Sequence, residues 1–275
     1  MMKFSVLMSV YSKEKPENLA MALNSIVDQT YPPDEIVLVK DGPLTAQLER
    51  AIKEFDQKYP QLLNLINLTE NKGLGHALKI GLERCSHELV ARMDTDDVSR
   101  PQRFQKQIEF MIANPEVDVV GANIEEFHSI PGDLNRFKIS PEYHDDIVNT
   151  IYLRNPFNHP SIMMRKTAVL QAGNYRHDLL LFEDYALFLT LWKKGARFYN
   201  IQDTLLDFRV GDGVETIKRR SGLHYLKKEN KFLAYARSIN AFNASQLIKY
   251  RLFKFPVRLL PPKVVLFIYN TFFRH

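Results

Sequence analysis

The chain contains a single cysteine, Cys85, so no disulfide can form within it and nothing in its composition calls for an oxidising compartment. A cytoplasmic address is the expectation. It also lacks an uninterrupted apolar run long enough to span a bilayer. The most apolar late stretch, 253–273, is broken by Lys254, Arg258, Lys263 and the pair Pro261 and Pro262, whereas a spanning helix needs about 20 mostly apolar residues. Near the start, the apolar stretch 4–10 is short, carries Ser5 and Ser9, and has no charged leader or small-residue cleavage site. It reads as a first strand and not as a signal peptide. Glycine is missing from the segment that follows, Ser12-Lys-Glu-Lys-Pro16. That absence argues against a nucleotidyltransferase, which needs a phosphate-gripping Gly-rich loop near its first strand. Internal repeats and low-complexity segments are absent as well.

What is present is a chain of 275 residues and 32.0 kDa, 45% hydrophobic and 25% charged. It can bury a full core as one large α/β domain. Its net charge of +5 is unevenly distributed: from Glu215 onward there are 13 Lys and Arg against 2 Asp and Glu, and everything before is net acidic. Such a split points the tail at an anionic surface and leaves other work to the body.

Over the first 120 residues, β-rich apolar runs at 4–10, 36–39, 62–68, 89–93 and 117–121 alternate with helix-period segments. This is the pattern of βαβ units around a mostly parallel sheet. Leu19, Leu23 and Ile26 fall at i, i+4, i+7, as do Leu44, Leu48 and Ala51, and Phe104, Ile108 and Met111; each set predicts one buried helix face. From Ile124 to Ser161 the periodicity weakens between Pro131-Gly132, Pro141, Pro156 and Pro160, which predicts loops and short elements lying over a site. Order returns with a strand at 161–165, helices at 167–172 and 183–194, and strands at 197–201 and 205–210; beyond Glu215 the signal is helical, basic and aromatic.

Ligands of an open parallel sheet bind beyond the carboxyl ends of its strands. Three such places hold polar groups: Asp41 after Ile-Val-Leu-Val-Lys, the cluster Asp94-Thr95-Asp96-Asp97 after Leu-Val-Ala-Arg-Met, and Asn71-Lys72-Gly73 after the third strand. Three carboxylates within four residues repel one another unless a hard divalent cation such as Mg²⁺ or Mn²⁺ sits among them. The competing reading is that they cap the helix starting near Pro101. A second acidic pair, Glu183-Asp184, opens a helix; its N-terminal dipole would keep a carboxylate ionised as a base, and simple capping explains the pair equally well.

These residues resemble the family 2 glycosyltransferases, inverting enzymes with the GT-A fold, and in particular the bacterial O-antigen and exopolysaccharide transferases. The resemblance covers about residues 3–210 and rests on Ser5-Val-Leu-Met-Ser-Val-Tyr11, Glu35-Ile-Val-Leu-Val-Lys-Asp-Gly42, Asn71-Lys-Gly73, Met93-Asp-Thr-Asp-Asp97 and Phe182-Glu-Asp184 in that order. It implies a Rossmann-like, mostly parallel sheet flanked by helices. It also implies a catalytic domain over 1–214, with a nucleotide-binding half at 1–120 and an acceptor half at 121–214, followed by a basic helical extension over 215–275.

The implied reaction moves a hexose from a nucleotide-diphosphate sugar, UDP-linked, to a polyprenyl-diphosphate-linked saccharide, with Mn²⁺ or Mg²⁺ as cofactor. By position, Tyr11, Asp41 and Asn71 look like donor contacts, and Asp94 resembles the first Asp of the DxD motif. Asp96 and Asp97 resemble the metal ligands, and Asp184 the catalytic base. One departure is Lys79, which stands where many members have Asn. His159 and Arg165 match a less specific pattern, with His159 a candidate acceptor or phosphate contact. Arg209, ending the last strand, is a candidate partner of the diphosphate or else a surface ion pair. A catalytically inactive assembly protein of the same fold would have eroded carboxylates, and these are all present.

The segment Lys249-Tyr-Arg-Leu-Phe-Lys-Phe-Pro-Val-Arg-Leu-Leu260 interleaves basic and apolar residues, the composition of a helix lying in a membrane interface. Nucleic acid is not the expected anion, because Leu259, Leu260, Val264, Leu266, Phe267, Ile268, Phe272 and Phe273 have no role on a phosphate backbone. The protein is therefore expected to be peripheral on the inner face of the membrane, with the chain from about Lys249 onward dispensable for folding of the body.

Overall fold

A computed structural model describes residues 2–211, 218, 220–261 and 264–265. Leu266, Phe267, Ile268, Phe272 and Phe273, and the expected boundary at 214, lie outside the described residues. The first half alternates β1 (Phe4–Val10), α1 (Pro16–Val27), β2 (Glu35–Lys40), α2 (Ala46–Lys58), β3 (Leu63–Asn67), α3 (Leu74–Arg84) and β4 (Leu89–Arg92). There follow β5 (Val98–Ser99), α4 (Arg103–Ala113), β6 (Val119–Phe127), β7 (Arg136–Lys138), α5 (His144–Thr150), a 3-10 turn at His159–Ser161 and β8 (Met163–Arg165). The chain closes with α6 (Lys166–Gln171), α7 (Glu183–Lys193), β9 (Phe198–Arg209), α8 (Gly222–Ser238) and α9 (Ala244–Leu259).

The nine strands form one sheet ordered β3-β2-β1-β4-β8-β6-β9-β5, with β7 paired to β6. β1 to β4 pair in parallel and β6 pairs in parallel with β9, while β8, β7 and β5 run against their neighbours. Because strand side chains alternate between faces, β1 sends Leu7 into one core and Val6, Met8 and Val10 into the other. β2 does the same with Val37 and Val39 against Ile36 and Leu38. The helices cover both faces, α1, α2 and α4 on one, and α3, α7, α8 and α9 on the other.

The expected faces Leu19, Leu23, Ile26 and Phe104, Ile108, Met111 are fully buried on α1 and α4. On α2 the expectation was misplaced: Leu44 precedes the helix, and the buried stripe is Leu48, Ile52 and Phe55. The helix α3 escaped the sequence reading because its buried face is built partly from glycine. A Cβ on Gly81 would stand 2.4 Å from Leu7 Cδ1 and 2.7 Å from Val39 Cγ2, so the small residue lets the helix lie close on β1 and β2. The two strands expected at 197–201 and 205–210 are one, β9, kept continuous across a register shift opposite Ala122–Ile124. Likewise 124–161 contains more order than its prolines suggested, since β6 runs on to Phe127 and is extended by β7 and α5.

The basic C-terminal helices are not appended loosely. Phe232 of α8 stacks on Phe182 with centroids 4.8 Å apart and meets Tyr185 at 4.7 Å. Tyr250 of α9, 2% exposed, donates its hydroxyl at 2.8 Å to Glu229, which is fully buried. Cutting at Lys249 would therefore open the core and leave a buried carboxylate short of a partner, against the expectation that this segment is dispensable for folding. Among the described residues no helix is long and apolar enough to cross a membrane.

Candidate active site

Strand register brings the site together. Val10 is opposite Lys40, and Leu7 is opposite Arg92, so Tyr11, Asp41 and Asp94 emerge at one carboxyl-end rim. Tyr11 is 41% exposed there. Asp41 is 4% exposed and accepts from the backbone N–H groups of Lys72 and Gly73 at 2.9 and 3.0 Å. It therefore clamps the loop that carries the exposed Asn71 while keeping its remaining lone pairs for a ligand. Gly42, at φ +85°, is needed for this approach, because a Cβ would sit 2.7 Å from the Asn71 nitrogen.

Asp94, Asp96 and Asp97 each offer an oxygen within 4.8 Å of the others. They do not cap the next helix: α4 begins at Arg103 with Gln102 as its N-cap and no side-chain cap bond. Asp97 is fully buried, accepts from the Arg209 N–H at 2.8 Å through Oδ1, and leaves Oδ2 without a partner. Burial, with the charges of Asp94 and Glu14, pushes the Asp96 carboxyl up to about 7. Burial and the charges of Asp94 and Asp96 hold Asp97 well above the usual carboxylate range. A buried unpaired carboxylate oxygen beside two further carboxylates fits a hard divalent cation, which would remove both penalties.

Glu14, which had no spacing signal in the sequence, joins this rim by accepting from Thr95 Oγ1 at 2.8 Å. Arg209 is occupied in a different way from either expectation. Its Nε donates to the Asp96 carbonyl at 2.8 Å, its NH1 to His128 O at 3.1 Å, and its guanidinium lies 4.3 Å from the Phe127 ring centroid. It thus fastens the acidic loop to β9 and β6.

Glu183 and Asp184 sit in the first turn of α7, whose N-cap is Phe182. Asp184 Oδ2 accepts from Asn155 Nδ2 at 2.7 Å and Oδ1 from the Tyr185 N–H at 2.7 Å. Burial raises its pKa, opposed by the Tyr185 N–H, the charges of Arg220 and Arg92, and Asn155. Burial, with the neighbouring Asp184 charge, pushes Glu183 up to about 7. The α3 backbone packs tightly here: a Cβ on Gly75 would be 3.0 Å from Glu183 Cβ and 2.5 Å from Arg176 O.

Between the two acidic groups stands Arg92, buried in the sheet, pairing with Asp94 and leaving Nε and NH1 without partners. Its charge reaches Asp94 and Asp97 on one side and Glu183 and Asp184 on the other. Arg103 supports the same loop from the far face, donating to the Arg92 carbonyl at 2.7 Å and contacting Met93 Sδ at 3.3 Å. The sequence did carry a signal for Arg92, a charged residue inside the apolar run Leu-Val-Ala-Arg-Met.

His159 does not line the open rim. It is buried, its Nε2 lies 2.9 Å from the Tyr175 hydroxyl, and burial with the Arg92 charge holds its pKa well below the usual value, so the ring is neutral. Arg165 is also committed, donating to the carbonyls of Val117 and Met111 at 2.9 and 3.0 Å. A surface hollow of about 580 Å³ near Arg100, Lys106 and Asp203 includes none of the carboxylates of the rim.

The family model described as glycosyl transferase family 2 matches residues 5–173. The chain belongs to this family. As a glycosyltransferase, it is 40% identical over 267 residues to the amylovoran biosynthesis glycosyltransferase AmsE of Erwinia amylovora, covering 97% of this chain and 98% of that one. It is 36% identical over 274 residues to the UDP-Gal:alpha-D-GlcNAc-diphosphoundecaprenol beta-1,3-galactosyltransferase of Escherichia coli, covering 99% and 97% respectively.

Among solved structures, S. aureus TarS 1–349 in complex with UDP superposes with a TM-score of 0.62 at 19% identity, over 97% of this chain and 78% of that one. The mannosyltransferase PcManGT from Pyrobaculum calidifontis, in complex with GDP-Man and Mn²⁺, gives 0.62 at 18% identity, over 98% and 79%. The glycosyltransferase thus has the GT-A fold, as its motifs implied.

Proposed function

We propose that this glycosyltransferase moves a hexose, with inversion, from a UDP-sugar to a saccharide on a polyprenyl diphosphate during assembly of a cell-surface polysaccharide. The observation that carries the reading is the convergence of two differently supported carboxylate groups on Arg92, the Asp94–Asp97 loop and the Glu183-Asp184 pair. The full-length similarity to the E. coli diphosphoundecaprenol galactosyltransferase supports the donor and acceptor class.

In this reading Tyr11, Asp41 and Asn71 hold the nucleoside, and Asp94 meets the ribose. Asp96 and Asp97 would hold Mn²⁺ or Mg²⁺, which when bound neutralises the diphosphate as it departs. Asp184, oriented by Asn155 and the Tyr185 N–H, takes the proton of the acceptor hydroxyl. The freed oxygen attacks the anomeric carbon from the face opposite the leaving group. An α-configured donor then gives a β linkage. Arg209 keeps the acidic loop in place, and the buried His159–Tyr175 pair lies within reach of the Arg92 charge.

The division of the chain is read in the same way. Residues 1–214 carry the donor contacts and the base, and the basic segment 215–275 faces an anionic leaflet at the inner side of the membrane. Ile248, Leu252, Phe253 and Leu259 are exposed on α9 beside Lys249 and Arg251, the make-up of an interfacial helix.

The test is to incubate the protein with Mn²⁺ and a panel of nucleotide sugars, scoring transfer to a synthetic GlcNAc-diphosphate lipid. Transfer from a UDP-hexose, abolished by chelator, is expected. Hydrolysis or transfer that is indifferent to the acceptor's diphosphate lipid would overturn the acceptor assignment, and equal activity in chelator would overturn the metal.

A further inference from the structure

Around Asp184 and the residues that hold it stand cations to which the proposed reaction gives no role. Arg154 immediately precedes Asn155, whose amide grips Asp184 at 2.7 Å. Lys138 ends β7, and Arg220 lies just before α8; the charges of both reach Asp184. Lys254 is one turn before Arg258 on α9, and the Arg258 guanidinium lies 4.7 Å from the Tyr225 ring centroid. Tyr225 in turn packs on Phe182, the residue before Glu183, with centroids 5.4 Å apart. Arg258 has a carboxylate of its own, Glu229, at 3.3 Å. Among the described residues, Lys138, Arg154, Arg220 and Lys254 form no salt bridge. Of these four, Lys138 and Arg220 act on Asp184, and Arg154 acts on Lys138 and Lys254.

Their proximity is costly. Burial, then the like charges of Arg220 and Arg154, lower the Lys138 pKa, and burial with the charge of Arg258 lowers that of Lys254. The carboxylates that act on them besides Asp184, Glu126 on Lys138 and Glu229 on Lys254, pair with Arg136 and Arg258, and like charges in excess of their counter-ions favour an anion that joins them.

We propose that Lys138, Arg154, Arg220 and Lys254 form the subsite for the diphosphate of the lipid-linked acceptor, beside the base Asp184. This rests on the reading of Asp184 as the base and of a diphosphate-linked saccharide as acceptor. In an acceptor whose first sugar is bonded directly to the diphosphate, the attacking hydroxyl and the diphosphate are separated by one pyranose ring. A base that serves that hydroxyl must therefore have a diphosphate site adjoining it. Guanidinium groups suit the task because they pair bidentately with phosphate oxygens. Lys254 also places the subsite against α9, whose outer face exposes Ile248, Leu252 and Leu259. A prenyl chain leaving the diphosphate would then run toward the apolar side of that helix.

The experiment uses the double variant Arg154→Gln/Lys254→Gln, whose sites are exposed and half-buried and so tolerate neutral side chains. Geranyl diphosphate is titrated calorimetrically into parent and variant in chelator and without vesicles, which silences the acidic loop and excludes lipid headgroups. UDP with Mn²⁺ is titrated separately, and a melting curve establishes that the variant is folded. The expected result is geranyl diphosphate affinity lowered by about tenfold or more, with UDP affinity within about twofold of the parent.

Equal geranyl diphosphate affinity in parent and variant, or none in the parent, overturns the subsite. A parallel loss of UDP affinity also overturns it and assigns the cations to the donor. A difference that emerges only when anionic vesicles are added overturns it in favour of headgroup contacts. Transfer to a GlcNAc-diphosphate lipid is then compared: an unchanged acceptor KM in the variant removes the subsite while leaving the glycosyltransferase reading intact.

Discussion

The two carboxylate groups of the site are held in opposite ways. In the Asp94–Asp97 loop, Asp97 Oδ2 is buried without a partner, and Asp96 is pushed up to about 7 by burial and its acidic neighbours. In the pair at the start of α7, both oxygens of Asp184 already accept a hydrogen bond, from Asn155 and from the Tyr185 N–H. The loop is electrostatically incomplete by itself, and the base is complete. An incomplete group gains from a ligand of opposite charge, whereas a complete one keeps its orientation whether or not substrate is present.

The sharpest way to break this comparison is Asp184→Asn. The amide keeps the shape and one acceptor oxygen, enough for the Tyr185 N–H, but cannot take a proton. Transfer is expected to fall by about 10²–10⁴-fold while UDP affinity stays near that of the parent. Steady-state kinetics alongside calorimetry measures both. If Asp184 merely capped α7, Asn would serve equally well and activity would persist; Glu183 would then be the next candidate.

The same test on the incomplete side is Asp96→Ala. UDP affinity in Mn²⁺ is expected to weaken by about tenfold or more, with little change in chelator, because the lost oxygen matters only when a cation is bound. Titration with and without Mn²⁺ gives the answer. Metal-independent UDP binding by the parent protein would count against the loop's role.

Much of this contrast was legible in the sequence, for a physical reason. Strand ends mark the rim of a parallel sheet, so Asp41, Asp94, Asp96 and Asp97 could be placed together from apolar runs alone. What the sequence could not display is which polar atoms are left over after folding. Arg209 and His159 carry side chains suited to phosphate, yet packing commits the first to the Asp96 and His128 carbonyls and the second to Tyr175. Glu14 and Asn155 lie in loops without periodicity, and only the fold brings them to Thr95 and Asp184. The helix α3 was hidden for a related reason: Gly75 and Gly81 weaken a helical pattern, and close approach to its neighbours is what requires them.

Glu183→Gln sharpens the comparison through stability. The folded-state pKa of Glu183 is raised from 4.5 to about 7 by burial and by the Asp184 charge. Between those values the folded protein retains a proton that the unfolded chain has released, so stability falls as pH rises through about 4.5 to 7 and stays lower above it. Glutamine removes that contribution. Relative to the parent, the variant is expected to lose about 2 kcal/mol less between pH 5 and pH 8, measured by urea unfolding at both values. The same loss in parent and variant would show that Glu183 is already paired when ionised.

The smallest effect expected is that of Asn155→Ala, which makes the complete group slightly incomplete. Asn155 donates to Asp184 Oδ2, and a hydrogen bond to the charged form of an acid favours that form. Removing it raises the Asp184 pKa further, in the direction in which burial already moves it. The limb of the kcat/KM profile that reports deprotonation of the base should therefore move to higher pH, by up to about one unit. Below that limb the variant is slower by about tenfold at most, and above it the two rates converge to within a few-fold, because the base is ionised in both. A loss of activity that is uniform across pH would mean that Asn155 orients the base and does not tune its charge. An unshifted, undiminished profile would mean that the Tyr185 N–H and the charges of Arg220 and Arg92 suffice to hold Asp184, and that its completeness owes nothing to Asn155.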